Sequence, residues 1–331
     1  MSRAEPQANS TTMSPLRRLG DELAALLRED PRRVVVGEDV ADGGMLGLTR
    51  ACRDEEALAS RLLAAPLTPA ATVLHAAGLA MAGRRPLVIL PSATALLEGL
   101  AGLRELSRLS GSAGGERSGA VVIIAPTGPG FGLGGDGAAS PEELLTALPG
   151  LRVVSLGDVR ESVALLRAVV DFDAGEQPTL LLLPRSLMVV EVEQASFSAD
   201  LGRSLGEARF ARHGHQATLF AWGATVELAL AAAEASGLDV GVIDLGGLSP
   251  LDVDTLTAAA CTGKLVIAHP GERSAIAAEV AALLADRAIL HLDAPIRRVG
   301  GAAGPLAYTE EGRALPSVDA LVQAIHEVVN Y

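Results

Sequence analysis

In this 331-residue sequence, one glycine-rich stretch has a residue spacing that is typical of a ligand-binding turn. Gly130, Gly132 and Gly135 follow an apolar run with the spacing of a dinucleotide-binding turn, and Asp158 stands where an acid that binds ribose would follow. The next helix is predicted only well after the third glycine, which favours a long loop. A nucleotide-binding module that uses residues 128–137 is one alternative for the function.

Histidine and cysteine are the other candidate catalytic or metal-binding residues. His269 ends the apolar run KLVIAH at the carboxyl end of a predicted strand, where α/β folds place their ligands. His213 and His215 share one face of a strand but lack a third ligand nearby, so no metal site is expected. Cys52 and Cys261 lie far apart without metal-site spacing, which favours a reducing, cytoplasmic location.

Two runs of alternating apolar strands and helices must position these residues. Strands are predicted near 34–36, 87–90, 121–124, 153–154, 180–183, 217–221, 238–243, 264–268 and 288–292. Helices are predicted near 14–29, 69–82, 92–109, 140–148, 158–171, 224–236, 251–260, 273–285 and 317–329. Continuous apolar strands separated by helices indicate α/β domains whose parallel sheets are covered on both faces. The predicted organisation is a disordered tail (1–13), a first domain (14–184), a linker (185–206) and a second domain (207–331).

Composition excludes two classes of partner. The 40 acidic residues outnumber the 27 basic ones, for a net charge of -13, and basic residues cluster only in pairs, so no nucleic-acid partner is expected. The N-terminus lacks the apolar core of a signal peptide, and no run of about 18 apolar residues predicts a membrane span. Hydrophobic residues make up 49% of the chain and aromatic residues only 2%, which predicts cores of Ala, Leu and Val.

Seven segments together resemble a known family. They are GEDVADGG at 37–44, TP at 68–69, GLAMAGRRPLV at 78–88, PGLRVV at 149–154, VIDLGGLSPLD at 242–252, TGKLVIAH at 262–269 and LDAPIRRVGG at 292–301. In this order the chain resembles the β subunit of the thiamine-diphosphate-dependent first component of 2-oxo acid dehydrogenase complexes, of the pyruvate and branched-chain type. The resemblance implies two transketolase-like domains, first a pyrimidine-binding domain and then a C-terminal transketolase domain.

The resemblance also implies a cofactor and partners. Family β subunits form α2β2 heterotetramers, in which the α subunit holds the diphosphate and its magnesium ion while the β subunit supplies the pocket for the aminopyrimidine ring. We therefore expect an α-like partner or a homodimer, and contact with the acyltransferase core of such a complex is a further possibility of the resemblance.

The family's catalytic glutamate is missing from this sequence. It belongs to a D-T-P-I-x-E stretch, where it sets the tautomer of the cofactor's ring. Here Leu67 replaces the acid of that stretch, Thr68 and Pro69 are kept, and Thr72 stands in place of the glutamate. A hydroxyl group cannot supply the negative charge that this role needs.

Other pocket positions of the family have also lost their catalytic or binding residues in this sequence. A glutamate and an aromatic residue of the family fall in the stretch from Ile89 to Ser92, and neither is present. The family's catalytic histidine aligns with Gly137, and a further glutamate and tyrosine align with Pro184 and Met188. The resemblance thus leaves a vestigial pyrimidine pocket. Its predicted members are Glu38, Thr68, Pro69, Thr72, Leu90 and Ser92, with His269 as a further candidate.

These departures predict a β-subunit-like protein that is inactive or strongly impaired and serves structural or regulatory ends. Loss of one general acid-base group alone lowers a rate by roughly 10² to 10⁴. The alternative within the same family is an active 2-oxo acid decarboxylase or dehydrogenase subunit that uses a substitute acid, for which Glu98 is the candidate in the sequence.

Overall fold

A computed structural model of the chain describes residues 12–110, 121–135, 137–172 and 177–331. The strands are β1 (Thr12–Met13), β2 (Arg33–Gly37), β3 (Leu62–Ala64), β4 (Arg85–Ile89), β5 (Val122–Thr127), β6 (Arg152–Ser155), β7 (Thr179–Pro184), β8 (Val192–Glu193), β9 (Arg209–Arg212), β10 (Ala217–Ala221), β11 (Val240–Asp244), β12 (Gly247–Ser249), β13 (Leu265–Ala268) and β14 (Arg297–Val299). The helices are α1 (Pro15–Glu29), α2 (Arg50–Arg53), α3 (Glu56–Ala59), α4 (Pro69–Met81), α5 (Ala95–Glu98), α6 (Leu100–Ser110), α7 (Glu142–Thr146), α8 (Ser162–Asp171), α9 (Arg185–Met188), α10 (Thr225–Ala235), α11 (Val253–Ala259), α12 (Ala275–Arg287) and α13 (Val318–Val329).

The first sheet has seven strands in the order β12-β6-β7-β5-β4-β2-β3. All pairs are parallel except β12 with β6, which is antiparallel. Helices α1 and α8 cover one face, and α4 and α6 cover the other. The predicted α/β fold is therefore confirmed, and the carboxyl ends of the parallel strands meet at one edge of the sheet.

The second sheet has five strands in the order β14-β13-β10-β11-β9. The strand predicted at 288–292 is wrong, because Ile289–His291 forms a 3₁₀ turn in which Leu290 is 96% exposed. The edge strand is instead β14, where Arg297 and Arg298 are exposed. Charged residues are common on edge strands because they discourage pairing with another chain, and this removes the apolar signal by which the strand could be predicted.

The helix predicted over 92–109 is interrupted. It forms α5 and α6, which are separated at Gly99. A side chain at that position would start 3.3 Å from the Cβ atom of Pro69, so glycine permits the close approach of α4 to this break. The first turn of α4 is thereby held against the α5-α6 pair, and the position of Thr68 and Thr72 follows from this packing.

The predicted domain limits remain predictions, and the structure adds detail to them. The expected tail, residues 1–13, lies outside the described residues except for Thr12–Met13, which pairs with Val192–Glu193. The expected linker at 185–206 is ordered at its start, because α9 buries Arg185 and Met188.

One strand and one apolar cluster connect the two halves of the chain. Strand β12 lies beyond the predicted boundary, yet it completes the edge of the first sheet beside β6. One apolar cluster runs from α4 and α6 to α11 and α12. No helix in the described part of the chain is long and apolar enough to cross a membrane.

A buried ionic cluster also joins the halves. Arg209 lies 3.3 Å from Asp244, 3.4 Å from Asp158 and 3.6 Å from Glu161. Asp244 is 1% exposed, and burial raises the pKa of its carboxyl group. Gly157 packs directly on this carboxylate, since a Cβ atom there would lie 2.4 Å from Oδ2 of Asp244.

We expect the substitution Arg209→Ala to lower the free energy of unfolding by about 3 kcal/mol, because it leaves Asp244 buried without its main cation. Chemical denaturation measures this loss. Adding Asp244→Asn should restore part of the stability, and Arg212→Ala, on the same strand, should cost less than about 1 kcal/mol. Equal losses for the two arginine variants would contradict the role given to the cluster.

Candidate functional site

The carboxyl edge of the first sheet gathers residues from separate parts of the chain. Strand β2 leads to Glu38, β4 to Leu90 and Ser92, and β7 to Arg185. Strand β5 leads to the glycine-rich loop. Because neighbouring parallel strands end together, these groups lie side by side, in the position where α/β folds bind ligands.

Most of the residues that the sequence assigns to the pyrimidine pocket are buried or already hydrogen-bonded within the protein. Thr72 is 1% exposed, and its hydroxyl donates to the carbonyl of Thr68 at 3.2 Å, within its own helix. Pro69 is buried as the first residue of α4, whereas Thr68 is exposed. Leu90 is fully buried in the apolar cluster. Thr72 and Leu90 are therefore part of the packing beneath the edge.

The buried guanidinium of Arg185 is the central polar group of the edge. It donates to the carbonyls of Gly128 at 2.8 Å and Gly137 at 2.5 Å, and to the hydroxyl of Ser92 at 2.8 Å. Arg185 is 1% exposed, and burial lowers the pKa of its guanidinium. It also lies over the ring of Phe131, 5.9 Å from the ring centroid. A single cation thus joins the loops that follow β4, β5 and β7.

The glycine-rich loop does not form a dinucleotide-binding turn. No helix starts at its third glycine, and α7 begins only at Glu142. The backbone N–H groups of its tip donate to the carboxylate of Glu311, which comes from the far end of the chain. Asp158, the expected ribose ligand, is held by Arg160 at 2.6 Å and by Arg209. These contacts do not support a dinucleotide-binding turn with Asp158 as its ribose ligand.

Gly137, the position aligned with the family's histidine, lies inside the same loop. A Cβ atom there would approach the Cβ atom of Leu133 to 2.4 Å. The loop in this conformation has no room for a larger side chain at 137, and Arg185 binds the carbonyl of this residue. Gly137 therefore contributes a backbone oxygen to the loop and no acid or base.

Acidic groups remain at the margin of the edge. Glu38 is half-buried, and its pKa is raised by burial and by the negative charges of Asp39 and Glu98. Glu98, the candidate substitute acid, ends the short helix α5 and is exposed. The negative charge of Glu98 thus acts on Glu38, which the sequence did not predict.

His269 is packed within the second domain. Its Nδ1 atom lies 3.0 Å from the carbonyl oxygen of Pro270, and its ring stacks at 6.5 Å from Trp222. Burial lowers the pKa of His269. Gly300 is packed against the imidazole, since a Cβ atom there would lie 2.4 Å from its Cε1 atom. Within the described residues, no cluster of three His, Cys, Asp or Glu side chains is arranged to hold a metal ion.

Glu142 is a buried acid that the sequence did not identify. It is 3% exposed; the hydroxyl of Thr127 donates to Oε1 at 3.3 Å, while Oε2 finds no hydrogen-bond partner among the described residues. Burial raises the pKa of Glu142 to about 7. Its partner Thr127 is the last residue of β5, so Glu142 joins the start of α7 to the strand from which the glycine-rich loop leaves.

Comparison with known proteins identifies the family. Residues 17–190 match the transketolase pyrimidine binding domain, and residues 206–320 match the transketolase C-terminal domain. The β subunit of the pyruvate dehydrogenase E1 component from Leifsonia xyli is 30% identical over 99% of this chain and 98% of that protein. The chain belongs to the E1 β-subunit family. The predicted resemblance is thereby confirmed.

Other E1 β subunits and solved structures agree with this assignment. The mitochondrial 2-oxoisovalerate dehydrogenase β subunit of Dictyostelium discoideum is 32% identical over 83% of this chain and 75% of that protein. The pyruvate dehydrogenase β subunit of Staphylococcus epidermidis is 33% identical over 87% and 89%. A structure titled as a split-gene transketolase in an inactive β4 tetramer has a TM-score of 0.70 at 22% identity, over 96% of this chain and 98% of that one. It supports the fold alone.

The residues of this E1 β-type edge do not fit the pyrimidine ring of thiamine diphosphate. Setting the ring's tautomer requires a carboxylate against a ring nitrogen, and Thr72 offers a buried hydroxyl that is already bonded in its helix. The central polar group at the edge is the guanidinium of Arg185, which only donates hydrogen bonds and therefore cannot replace a carboxylate.

We expect the free energy of unfolding to fall as the pH rises from about 4.5 to about 7, because Glu142 must ionise without adequate partners in the folded state. The loss is on the order of 3 kcal/mol. Glu142→Gln should remove this component, so that the variant gains stability over the unchanged protein as the pH rises. Urea denaturation at several pH values measures the difference. Glu143→Gln is the matched control, and the same pH profile for both variants would contradict the assignment.

Proposed function

We propose that the chain is a catalytically impaired E1 β-type subunit whose role is assembly, with structural or regulatory ends. The state of Thr72 carries the proposal, because it combines a missing carboxylate with a buried hydroxyl that is committed to the carbonyl of Thr68. The closed glycine-rich loop supports it as well, since the position aligned with the family's histidine is Gly137 and lacks room for that side chain.

The proposal includes an α-like E1 subunit as partner, through an exposed apolar face beside the site. Leu74 and Met81 lie on α4 and are 42% and 58% exposed, Leu97 on α5 is 38% exposed, and Leu67 just before α4 is 82% exposed. Contiguous exposed apolar residues of this kind mark interaction surfaces. A homodimer through the same face is the alternative. The cytoplasmic location belongs to the proposal and is supported by the free thiols of Cys52 and Cys261.

A second candidate function is an active 2-oxo acid decarboxylase subunit with a substitute acid. The observation in its favour is the raised pKa of Glu38, which burial causes first and the negative charges of Asp39 and Glu98 increase. In this alternative, thiamine diphosphate binds and Glu38 or Glu98 replaces the missing glutamate.

Activity assays separate the two candidates. The chain is purified alone and after co-expression with an α-type E1 subunit, and decarboxylation of pyruvate and of 2-oxoisovalerate is measured with added thiamine diphosphate. We expect a stable complex with turnover at least 10²-fold below that of the same α subunit with an E1 β subunit that has the glutamate. Glu38→Gln and Glu98→Gln should leave the residual rate unchanged. Robust turnover that either variant abolishes, while Glu105→Gln does not, would establish the second candidate instead.

The assembly face gives a separate prediction. Leu74→Asp should weaken the complex with the α-type subunit by at least tenfold, because it places a charge in an apolar contact. Size-exclusion chromatography with light scattering and titration of the two subunits measures the effect. Leu144→Asp is the control, since Leu144 is 57% exposed on α7, away from this face. Equal affinity of both variants would show that α4 does not form the interface.

A further inference from the structure

The tip of the glycine-rich loop holds a carboxylate with four backbone hydrogen bonds. The N–H groups of Gly130 and Gly132 donate to Oε1 of Glu311 at 2.8 and 2.7 Å. Those of Leu133 and Gly134 donate to Oε2 at 2.9 and 3.4 Å. Both carboxylate oxygens are therefore bound by main-chain groups of one short segment.

The backbone of this segment explains how four N–H groups can converge. Gly130, Gly132 and Gly134 have φ values of 145°, 69° and 68°, which are disfavoured for other residues. They alternate with Phe131 and Leu133, whose φ values are not positive, and this alternation turns successive N–H groups toward one point to form a concave anion-binding nest. The guanidinium of Arg185 binds the two ends of the same loop, so a positive charge lies close to the nest.

The group bound in the nest is a side chain of the same protein, Glu311. Glu311 is more than 170 positions from the loop in the sequence. Its segment makes further contacts with the loop: the N–H of Gly135 donates to the carbonyl of Leu306 at 2.7 Å, and Tyr308 packs on Gly134. Burial alone would raise the pKa of Glu311, but the hydrogen bonds from the four N–H groups lower it by more. The net pKa is therefore lowered, and the carboxylate is held ionised. Glu311 is thus an anion supplied by the chain to an anion site.

We propose that residues 130–134 form a binding site for a phosphate-class oxyanion, and that Glu311 is its built-in competitor. Glu311 holds the site closed, and a phosphate or diphosphate group that displaces it opens the segment around Leu306 and Tyr308. The ligand class follows from the donors: four N–H groups without a positive side chain of their own suit a compact anion with several oxygens. This proposal does not depend on the activity of the chain.

The internal competitor sets the expected affinities. A tethered group acts as though it were present at millimolar or higher concentration, so a free anion must overcome Glu311 in the unchanged protein. Removing the Glu311 carboxylate eliminates that competition and leaves four donors free beside Arg185. We therefore expect the affinity for inorganic phosphate to rise at least tenfold in Glu311→Ala.

The test uses the full chain with inorganic phosphate, inorganic pyrophosphate and acetate as probes. Binding is followed by calorimetry and by the amide NMR signals of Gly130, Gly132, Leu133 and Gly134. Glu310→Ala is the matched control, because it removes the same charge from the neighbouring residue, which pairs with Arg313. Glu311→Ala should bind phosphate and pyrophosphate at least tenfold more tightly than the control, with shifts at the four amides.

A second variant shows whether the nest itself holds the anion. Gly132→Val in the Glu311→Ala background should abolish the gained binding, because valine disfavours the positive φ at this position, where an added Cβ atom would have no other atom within 4 Å. Three results would overturn the proposal: equal phosphate affinity in Glu311→Ala and Glu310→Ala, binding that survives Gly132→Val, or acetate binding as tight as phosphate. The last result would assign the site to carboxylates.

Discussion

The burial of one guanidinium at the carboxyl edge of the first sheet constrains everything around it. Parallel strands that end together leave carbonyl groups and loop ends crowded in one place, and buried polar groups of this kind need partners. Arg185, which follows β7, supplies partners to the two ends of the loop after β5, at Gly128 and Gly137, and to Ser92 after β4. A side chain that only donates hydrogen bonds fixes acceptors around itself, so carbonyl and hydroxyl oxygens face the centre of the edge.

This arrangement changes the chemistry that the edge can support. The two transketolase-type domains are retained, while Thr72 and Gly137 occupy the positions that the sequence predicts for the family's acid and histidine. Both residues are used for packing or for backbone contacts. Carboxylates persist only at the margin, in Glu38 and Glu98, where burial and like charge raise the pKa of Glu38.

Much of the fold was predictable because buried parallel strands leave continuous apolar runs, as in the leucines that precede Arg185. Edge strands leave no such signal, and β14 was missed for this reason. Arg185 itself could have been found, since the rule that singled out His269, a polar residue at the end of an apolar strand, applies to it equally. Glu142 and Glu311 could not, because their environments depend on contacts that no local pattern encodes.

Contacts between distant parts of the chain also explain why the edge has one conformation. Glycines at 130, 132 and 134 give the loop freedom that costs entropy to remove, and no neighbour in sequence supplies the restraint. Arg185 fixes the ends of the loop, and Glu311 fixes its tip from the other half of the chain. Because β12 and the Arg209 cluster hold the two halves together, Glu311 stays within reach of the loop. A carboxylate from the second half of the chain therefore holds the tip of a loop in the first.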